Sequence, residues 1–214
     1  MALSTGIARP RLVLVEGKDD VYFCAAVRES RILPCVQFMP YGGKSNLSSF
    51  LYTLPRLPNF SIVRGIAVIR DADGDSNGAF QSIQAALKRA GLPVPTAELK
   101  PATRDEITTA ALVLPGDGAT GELEDCLLRS IVGHAYLAPV NDFINVIEQL
   151  KGAPLSERSK SKVRSFMAIQ DPSHDLIGAS AKAGVFPLDH SAFAGIEMVI
   201  RMISEQPPSP TPAA

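Results

Sequence analysis

Acidic side chains follow apolar runs at several points in this sequence of 214 residues. The stretch GIAVIRDADGD passes from apolar residues into Asp71 and Asp73. Another apolar run, RLVLVEG, contains Glu16 at its end, and Asp20 comes four residues later. Neighbouring carboxylates repel one another, so such a cluster needs compensation by water, by a basic side chain or by a metal ion. These four acids are the first candidates for chemistry.

The elements that would position these acids alternate between strand and helix patterns. Short apolar runs predict buried strands, and apolar residues at helical spacing predict the helices between them. The predicted strands are residues 11–17, 34–41, 61–72 and 107–116, and the predicted helices begin at Lys18, near Asn46, at Gly78 and at Gly121. This alternation indicates an α/β fold with a mainly parallel, four-stranded sheet flanked by helices.

The length of the chain suits one domain with an extension. Residues 11–133 carry the alternating pattern, and residues 134–205 are helical in pattern, which predicts a helical C-terminal extension packed on the α/β domain. Residues 206–214, QPPSPTPAA, are rich in proline and small residues, which predicts a disordered tail.

Acids from separate segments are expected to meet at one edge of the sheet. Ligands of open parallel sheets bind beyond the carboxyl ends of the strands, where Glu16 and Asp71 fall. Glu124 and its acidic neighbours open the helix after the fourth strand. Carboxylates gathered in this way suit Mg²⁺ or Mn²⁺. The alternative for the helix-start acids is simple stabilisation by the helix dipole, but Glu16 and Asp71 directly end buried strands, where a solvated acid is less expected.

Composition and charge limit the choice of function. The chain is 46% hydrophobic and 20% charged with a formal net charge of −1, so nucleic-acid binding would need a local basic patch. Three scattered cysteines without a CxxC pair predict reduced thiols rather than a zinc site. The start MALSTGIARP does not read as a signal peptide, and no apolar run approaches the ~20 residues of a membrane helix, so we expect a cytoplasmic protein.

Basic residues offer candidates for phosphate contacts. They are Lys18, Lys44, Arg70, Lys151, Arg158, Lys160, Lys162 and Arg164. The last five cluster in one region, where a solvated helix face is an equally good interpretation. Competing motifs are weaker: GGKS lacks the first glycine of a P-loop, and DGDSNG lacks the final glutamate of an EF-hand loop. VIRDADGD is also similar to the Asp-x-Asp of haloacid-dehalogenase phosphatases, without their usual threonine.

Two acidic stretches resemble a known family. LVLVEGKDDVYF and AVIRDADGD look like the two signatures of the Toprim domain, an α/β module shared by topoisomerases, DnaG-type primases and the OLD nucleases. The signature acids would be Glu16, Asp71 and Asp73. EGKDD, which includes Asp20, and YGGKSNLSSFL are most similar to the OLD-like branch, and GELEDCLL resembles its Leu-Glu signature, which would make Glu124 the next acid.

The C-terminal part, from SKSKVRSFMAIQ to PLDHSAFAGIEMVI, resembles an uncharacterised stand-alone Toprim-like family related to those nucleases. Its lysine would be Lys160 or, as the alternative, Lys162. Neither an ATPase domain nor a topoisomerase domain is recognisable, which argues against strand passage and priming.

The resemblance implies a site and a reaction. The metal ligands would be Glu16, Asp20, Asp71, Asp73 and Glu124, with Mg²⁺ or Mn²⁺ as the cofactor. Lys160 would stabilise the charge of the transferring phosphate, and Glu16 would alternatively serve as a general acid or base.

The predicted function is metal-dependent hydrolysis of nucleic-acid phosphodiesters, or a related phosphoryl transfer. The alternative is a non-catalytic Toprim-fold module that binds metal or nucleic acid within a larger system. Candidate partners are nucleic acid and a protein, including a second copy of the chain; no membrane is expected.

Overall fold

The structure, a computed structural model, describes residues 6–205. Within this range lie five strands and eight α-helices. In chain order they are β1 (Arg11–Val15), α1 (Lys18–Ser30), β2 (Gln37–Pro40), α2 (Leu47–Thr53), β3 (Gly65–Asp71), α3 (Ser76–Arg89), β4 (Ala102–Arg104), β5 (Ile107–Leu114), α4 (Leu123–Ser130), α5 (Leu137–Lys151), α6 (Arg158–Ala168), α7 (Ile177–Lys182) and α8 (Ala194–Met202). The predicted disordered tail lies outside the described residues.

The strands form one mainly parallel, Rossmann-like sheet in the order β2-β1-β3-β5-β4. β1 pairs with β2 and β3, and β3 pairs with β5, all in parallel. The predicted count of four strands is wrong by one, because β4 adds a short antiparallel edge beside β5. β4 has only three residues, ATR, which is too few for a hydrophobic pattern to reveal it.

The sheet has a core on each face, because successive side chains of a strand point in opposite directions. Leu12 and Leu14 face a cluster that α2 and α3 complete, whereas Val13 and Val15 face a cluster with α1 and later helices. All four side chains are buried. This double coverage explains the nearly unbroken apolar strand sequences.

The helices after residue 134 complete the core of the second face. Phe166 of α6 and Val199 of α8 are buried in the same cluster as Val13. Arg31, at the end of α1, ties this region down: it donates to the carbonyls of Leu188 and His190 and pairs with Glu197 at 2.6 Å. The proposed division at residue 133 therefore crosses a shared core, and the domain boundary stays a prediction.

Candidate metal centre

The chain order of the strands creates a crevice beside β1. The chain moves from β1 to β2 on one side, and β3 then pairs on the other side of β1. Such a switch point, at the carboxyl ends of the strands, is where open α/β sheets bind ligands. Glu16 follows β1 directly, and Asp71 is the last residue of β3.

The Gly-Gly turn after β2 holds the segment that carries Glu16. The N–H groups of Gly42 and Gly43 donate to the carbonyl oxygen of Glu16 at 3.0 and 3.1 Å. Both glycines have positive φ, a conformation that glycine adopts without the Cβ penalty. The next N–H, that of Lys44, donates to Oε1 of Glu16 at 3.2 Å. The YGGKS motif thus fixes the position of the first acid.

Asp20 lies in the first turn of α1 and faces the start of its own helix. Its Oδ2 accepts from the N–H of Gly17 at 2.6 Å, which satisfies a backbone donor at the helix N-terminus. The helix-start interpretation therefore holds for Asp20. The same carboxylate is also largely buried beside Glu16, so capping is not its whole environment.

Asp71 receives support from a different segment. Its Oδ1 accepts from the N–H of Leu123, the first residue of α4, at 3.0 Å. The positive end of the α4 dipole therefore lies against a carboxylate at the end of β3. This contact joins the β3 edge to the helix that carries Glu124.

Asp73 departs from the expectation that it would accompany Asp71. β3 ends at Asp71, so strand alternation no longer applies two residues later. Asp73 has a φ of +51°, and its carboxylate pairs with Lys44 at 2.8 Å on an exposed surface. Its backbone exchanges two 2.8 Å hydrogen bonds with Gly121, which ties the loop after β3 to the loop before α4.

Glu124 is buried, and Lys160 of α6 lies near it. The Nζ of Lys160 is 3.5 Å from the carboxylate of Glu122 and 3.3 Å from that of Glu157. Burial lowers the pKa of Lys160, but Glu124 and Glu122 outweigh this effect and raise it, so the ammonium keeps its charge. Lys162, the alternative lysine, forms no ion pair with these acids among the described residues, and the acids that act on its charge are Glu148 and Asp125.

Burial and like charge raise the pKa of three of the acids. Burial raises the pKa of Asp71 to about 8, with further contributions from the charges of Asp20, Glu124 and Glu16. The pKa of Asp20 rises to about 6 and that of Glu124 to about 7, again chiefly through burial. The three carboxylates therefore lack a counter-charge sufficient to keep them fully ionised near neutral pH.

Glu16, Asp20 and Asp71 line one cavity of about 10 Å³, close to the room that a single water molecule occupies. Cys24 also lines it, with burial raising the pKa of its thiol, but the acidic side chains of the cavity are carboxylates. The donor set is thus carboxylate oxygen, which fits a hard divalent cation. Even so, within residues 6–205 no three His, Cys, Asp or Glu side chains stand together as a group that could hold a metal ion. The metal assignment stays a prediction.

Sequence reasoning missed the side chains that support the site. Asp125 accepts from the N–H of Glu122 at 2.8 Å and from the hydroxyl of Ser159 at 2.6 Å, and so joins α4 to α6. Lys44 was named only as a basic residue, whereas it contacts both Glu16 and Asp73. The Glu-x-x-Asp spacing was a signal for the cap, but the contacts with Ser159 and Lys44 depend on tertiary structure.

The fold and site together define a mixed α/β protein with a mainly parallel sheet and an acidic crevice at its switch point. A family model described as "Protein of unknown function (DUF3226)" matches residues 10–204, and the chain belongs to that family. No curated protein matches the sequence. Among the described residues, none of the helices has both the length and the apolar character to cross a membrane.

Two solved structures have a similar fold. The hypothetical protein PH0156 from Pyrococcus horikoshii OT3 superposes with a TM-score of 0.60 at 16% identity, over 92% of this chain and 95% of that chain. The C-terminal region of the OLD protein of Xanthomonas campestris pv. campestris superposes with a TM-score of 0.50 at 14% identity, over 92% of this chain and 96% of that one. At these identities the likeness concerns the fold alone.

Proposed function

We propose that this chain is a Toprim-like, metal-dependent phosphodiesterase of nucleic acid, related to the OLD branch. The observation that carries the proposal is the meeting of Glu16, Asp20 and Asp71 in one small cavity at the switch point, with the pKa of Asp20 and of Asp71 raised. Structural proteins seldom keep buried like charges without a partner, whereas catalytic sites do so regularly. The fold shared with the OLD region supports this choice.

The metal ligands in this proposal are Glu16, Asp71 and Asp73, and Asp20 and Glu124 hold a second ion or orient its waters. Bound Mg²⁺ or Mn²⁺ would supply charge that neutralises phosphate oxygens and acidifies an attacking water. Asp73 is paired with Lys44 in the structure, so its use as a ligand requires this exposed ion pair to open. Exposed ion pairs of this kind contribute little to stability, so opening costs little.

Side chains of the protein then have separate roles in hydrolysis. Water attacks phosphorus as one phosphorus–oxygen ester bond breaks, a carboxylate takes the proton of the water, and the departing oxygen takes up a proton from solvent to leave as an alcohol. Asp20, whose carboxylate lies in the same cavity, is suited to that role where it does not itself hold the second ion, and Glu16 is the alternative base. Lys160, whose ammonium stays charged, stabilises the phosphate as negative charge develops.

Metal binding and cleavage are tested with matched variants. Mn²⁺ and Mg²⁺ are titrated by calorimetry into the wild type, into Asp71→Ala with Asp73→Ala, and into Asp142→Ala with Asp189→Ala. The last pair removes two exposed acids for which the described residues provide no hydrogen-bond or ion-pair partner. The same proteins are then assayed on single-stranded, duplex and supercoiled DNA and on RNA.

We expect the wild type and the Asp142/Asp189 control to bind metal and cleave at least one substrate, and the Asp71/Asp73 variant to do neither. Equal cleavage by all three proteins would mean that the activity is a contaminant. Metal binding without cleavage of any substrate would favour a non-catalytic role.

One observation favours that second role, a Toprim-fold binding module. Asp20 and Asp71 already accept hydrogen bonds from backbone N–H groups, and Asp73 is paired with Lys44. These contacts satisfy part of each carboxylate without any ion. A module without catalytic activity would keep the same contacts. Metal titration is therefore needed to distinguish the two roles.

A further inference from the structure

A second, larger cavity lies between α4, α5 and α6. It measures about 300 Å³ and is lined by Arg129, Lys162, Asn141, Asp125 and the apolar Leu128 and Leu137, among others. This size is at the lower end of the range for small-molecule sites. None of the sequence motifs pointed to it, because its lining comes from three helices.

The two basic side chains of this cavity are not engaged elsewhere. Neither the side chain of Arg129 nor that of Lys162 forms a hydrogen bond or an ion pair with another described residue. On the same helix as Lys162, by contrast, Arg158 is paired with Glu148 at 3.0 Å and Lys160 with Glu122 at 3.5 Å. The cavity thus presents two cations without a hydrogen-bonded partner, although the charges of Glu148 and Asp125 act on Lys162.

Asn141 supplies a separate indication of a ligand. Its Oδ1 is buried and has no hydrogen-bond partner among residues 6–205. A buried acceptor without a donor is costly, and such groups are rare in folded proteins. If the Asn141 side chain turned toward the cavity, a ligand with a hydroxyl or amine group would satisfy its Oδ1, while Leu128 and Leu137 would contact an apolar or aromatic part.

We propose that this cavity binds one nucleotide unit, with its phosphate on Arg129 and Lys162 and its sugar or base donating to Asn141. Asp125 also lines the cavity, but both of its oxygens already accept hydrogen bonds, from Glu122 and Ser159. Asp125 follows Glu124 directly in α4, so the cavity and the candidate metal centre share this helix. The inference rests on the proposed function, since it assigns the cavity to a nucleotide beside the one that is cleaved.

Binding of single-stranded DNA in the presence of EDTA tests the cavity without any contribution from metal binding or from cleavage. The probe is a short fluorescein-labelled single-stranded DNA, followed by fluorescence anisotropy over a range of salt concentrations. Arg129→Gln with Lys162→Gln is compared with Lys88→Gln and Lys100→Gln, an equal change of charge at two exposed lysines away from the cavity. Thermal melting of each variant checks that it is folded, and Mn²⁺ titration checks the metal centre separately.

We expect the Arg129/Lys162 variant to lose about tenfold or more in affinity, as the loss of charge-assisted hydrogen bonds predicts. The slope of log affinity against log salt should fall by about 1.4, or ~0.7 for each lost phosphate contact. Its Mn²⁺ binding should be unchanged, so a failed metal site would not be mistaken for a failed cavity. Equal affinity of the two double variants would overturn the proposal.

Competition identifies the source of the nucleotide. Displacement of the labelled strand by dAMP but not by inorganic phosphate would show that a free nucleotide is sufficient. Failure of dAMP to compete, with the Arg129/Lys162 effect intact, would show that the strand itself is required. Displacement by inorganic phosphate as well as by dAMP would overturn the proposed contact between Asn141 and the sugar or base.

Discussion

Two opposing effects act on the pKa of Asp71. Burial and the charges of Asp20 and Glu124 disfavour its ionised form, whereas the Leu123 N–H at the start of α4 favours it. Burial and repulsion prevail, since they raise its pKa to about 8. The neutral, protonated form of Asp71 is therefore favoured at neutral pH.

This balance predicts how stability depends on pH. Between about pH 4 and pH 8, folded Asp71 keeps a proton that the unfolded chain has lost, so stability falls as pH rises through this window. Asp20 and Glu124 act in the same direction. In EDTA, Asp71→Asn should melt several degrees above the wild type at pH 8 and show a smaller fall in Tm between pH 5 and pH 8. Parallel Tm curves for the two proteins would contradict the assignment.

Lys160 and Lys162 should differ in what their loss changes. Lys160→Gln removes the charge beside Glu122 and Glu124, so we expect turnover to fall by about 10²–10³, as for other lost transition-state contacts. Lys162→Gln should mainly raise KM, because its position lies in the second cavity. Steady-state kinetics with Lys88→Gln as the control separates the two effects. If both lysines lowered turnover equally, the choice of Lys160 would lose its basis.

At the scale of single elements, α7 packs unusually close to α1. Gly178 of α7 faces Tyr22, and a Cβ at position 178 would collide with the Tyr22 Cβ and lie 2.9 Å from its carbonyl carbon. The collision is with the body of a helix, which cannot give way as a flexible side chain would. Glycine here is needed for close approach rather than for a turn.

Gly178→Ala should therefore destabilise the protein by about 1–3 kcal/mol, the usual cost of overpacking. Gly74→Ala is the control, because a Cβ there meets nothing within 4 Å. Urea denaturation followed by circular dichroism measures both. If Gly178→Ala lowered the free energy of unfolding no more than Gly74→Ala does, α7 would be able to shift without cost.

The sequence predicted the elements better than the directions of their side chains. Apolar runs located β1 and β3, and Glu16 and Asp71 lie at the ends of these strands, where the pattern placed them. The start of α3 was predicted at Gly78, whereas it lies at Ser76, because Asp75 caps the helix by accepting from the Gly78 N–H. Asp73 was predicted beside Asp71, but the backbone turns into a positive φ there, which no periodicity indicates.

At the scale of the whole molecule, the α/β part and the later helices share one core. The sheet face that carries Val13 is covered by residues of α6 and α8 as well as by α1. Arg11 of β1 also donates to the carbonyls of Ile203 and Ser204, at the far end of the described chain. The first and last elements are thus joined directly.

We therefore expect a fragment of residues 1–133 not to fold cooperatively. Without the later helices, an apolar face of its sheet would be exposed to water. The full chain should unfold in one transition. Calorimetry and near-ultraviolet circular dichroism of both proteins provide the measurement. A fragment with native-like near-ultraviolet signal and a sharp transition would instead support two independent domains.

The paired backbone hydrogen bonds between Asp73 and Gly121 separate the shape of this edge of the protein from its charge. Because the main chain makes this link, a residue that tolerates a positive φ, such as asparagine, can replace Asp73 and keep it. The two acid-bearing loops would then keep their spacing after the carboxylate is gone. The scaffold around the crevice therefore does not depend on the charge at position 73.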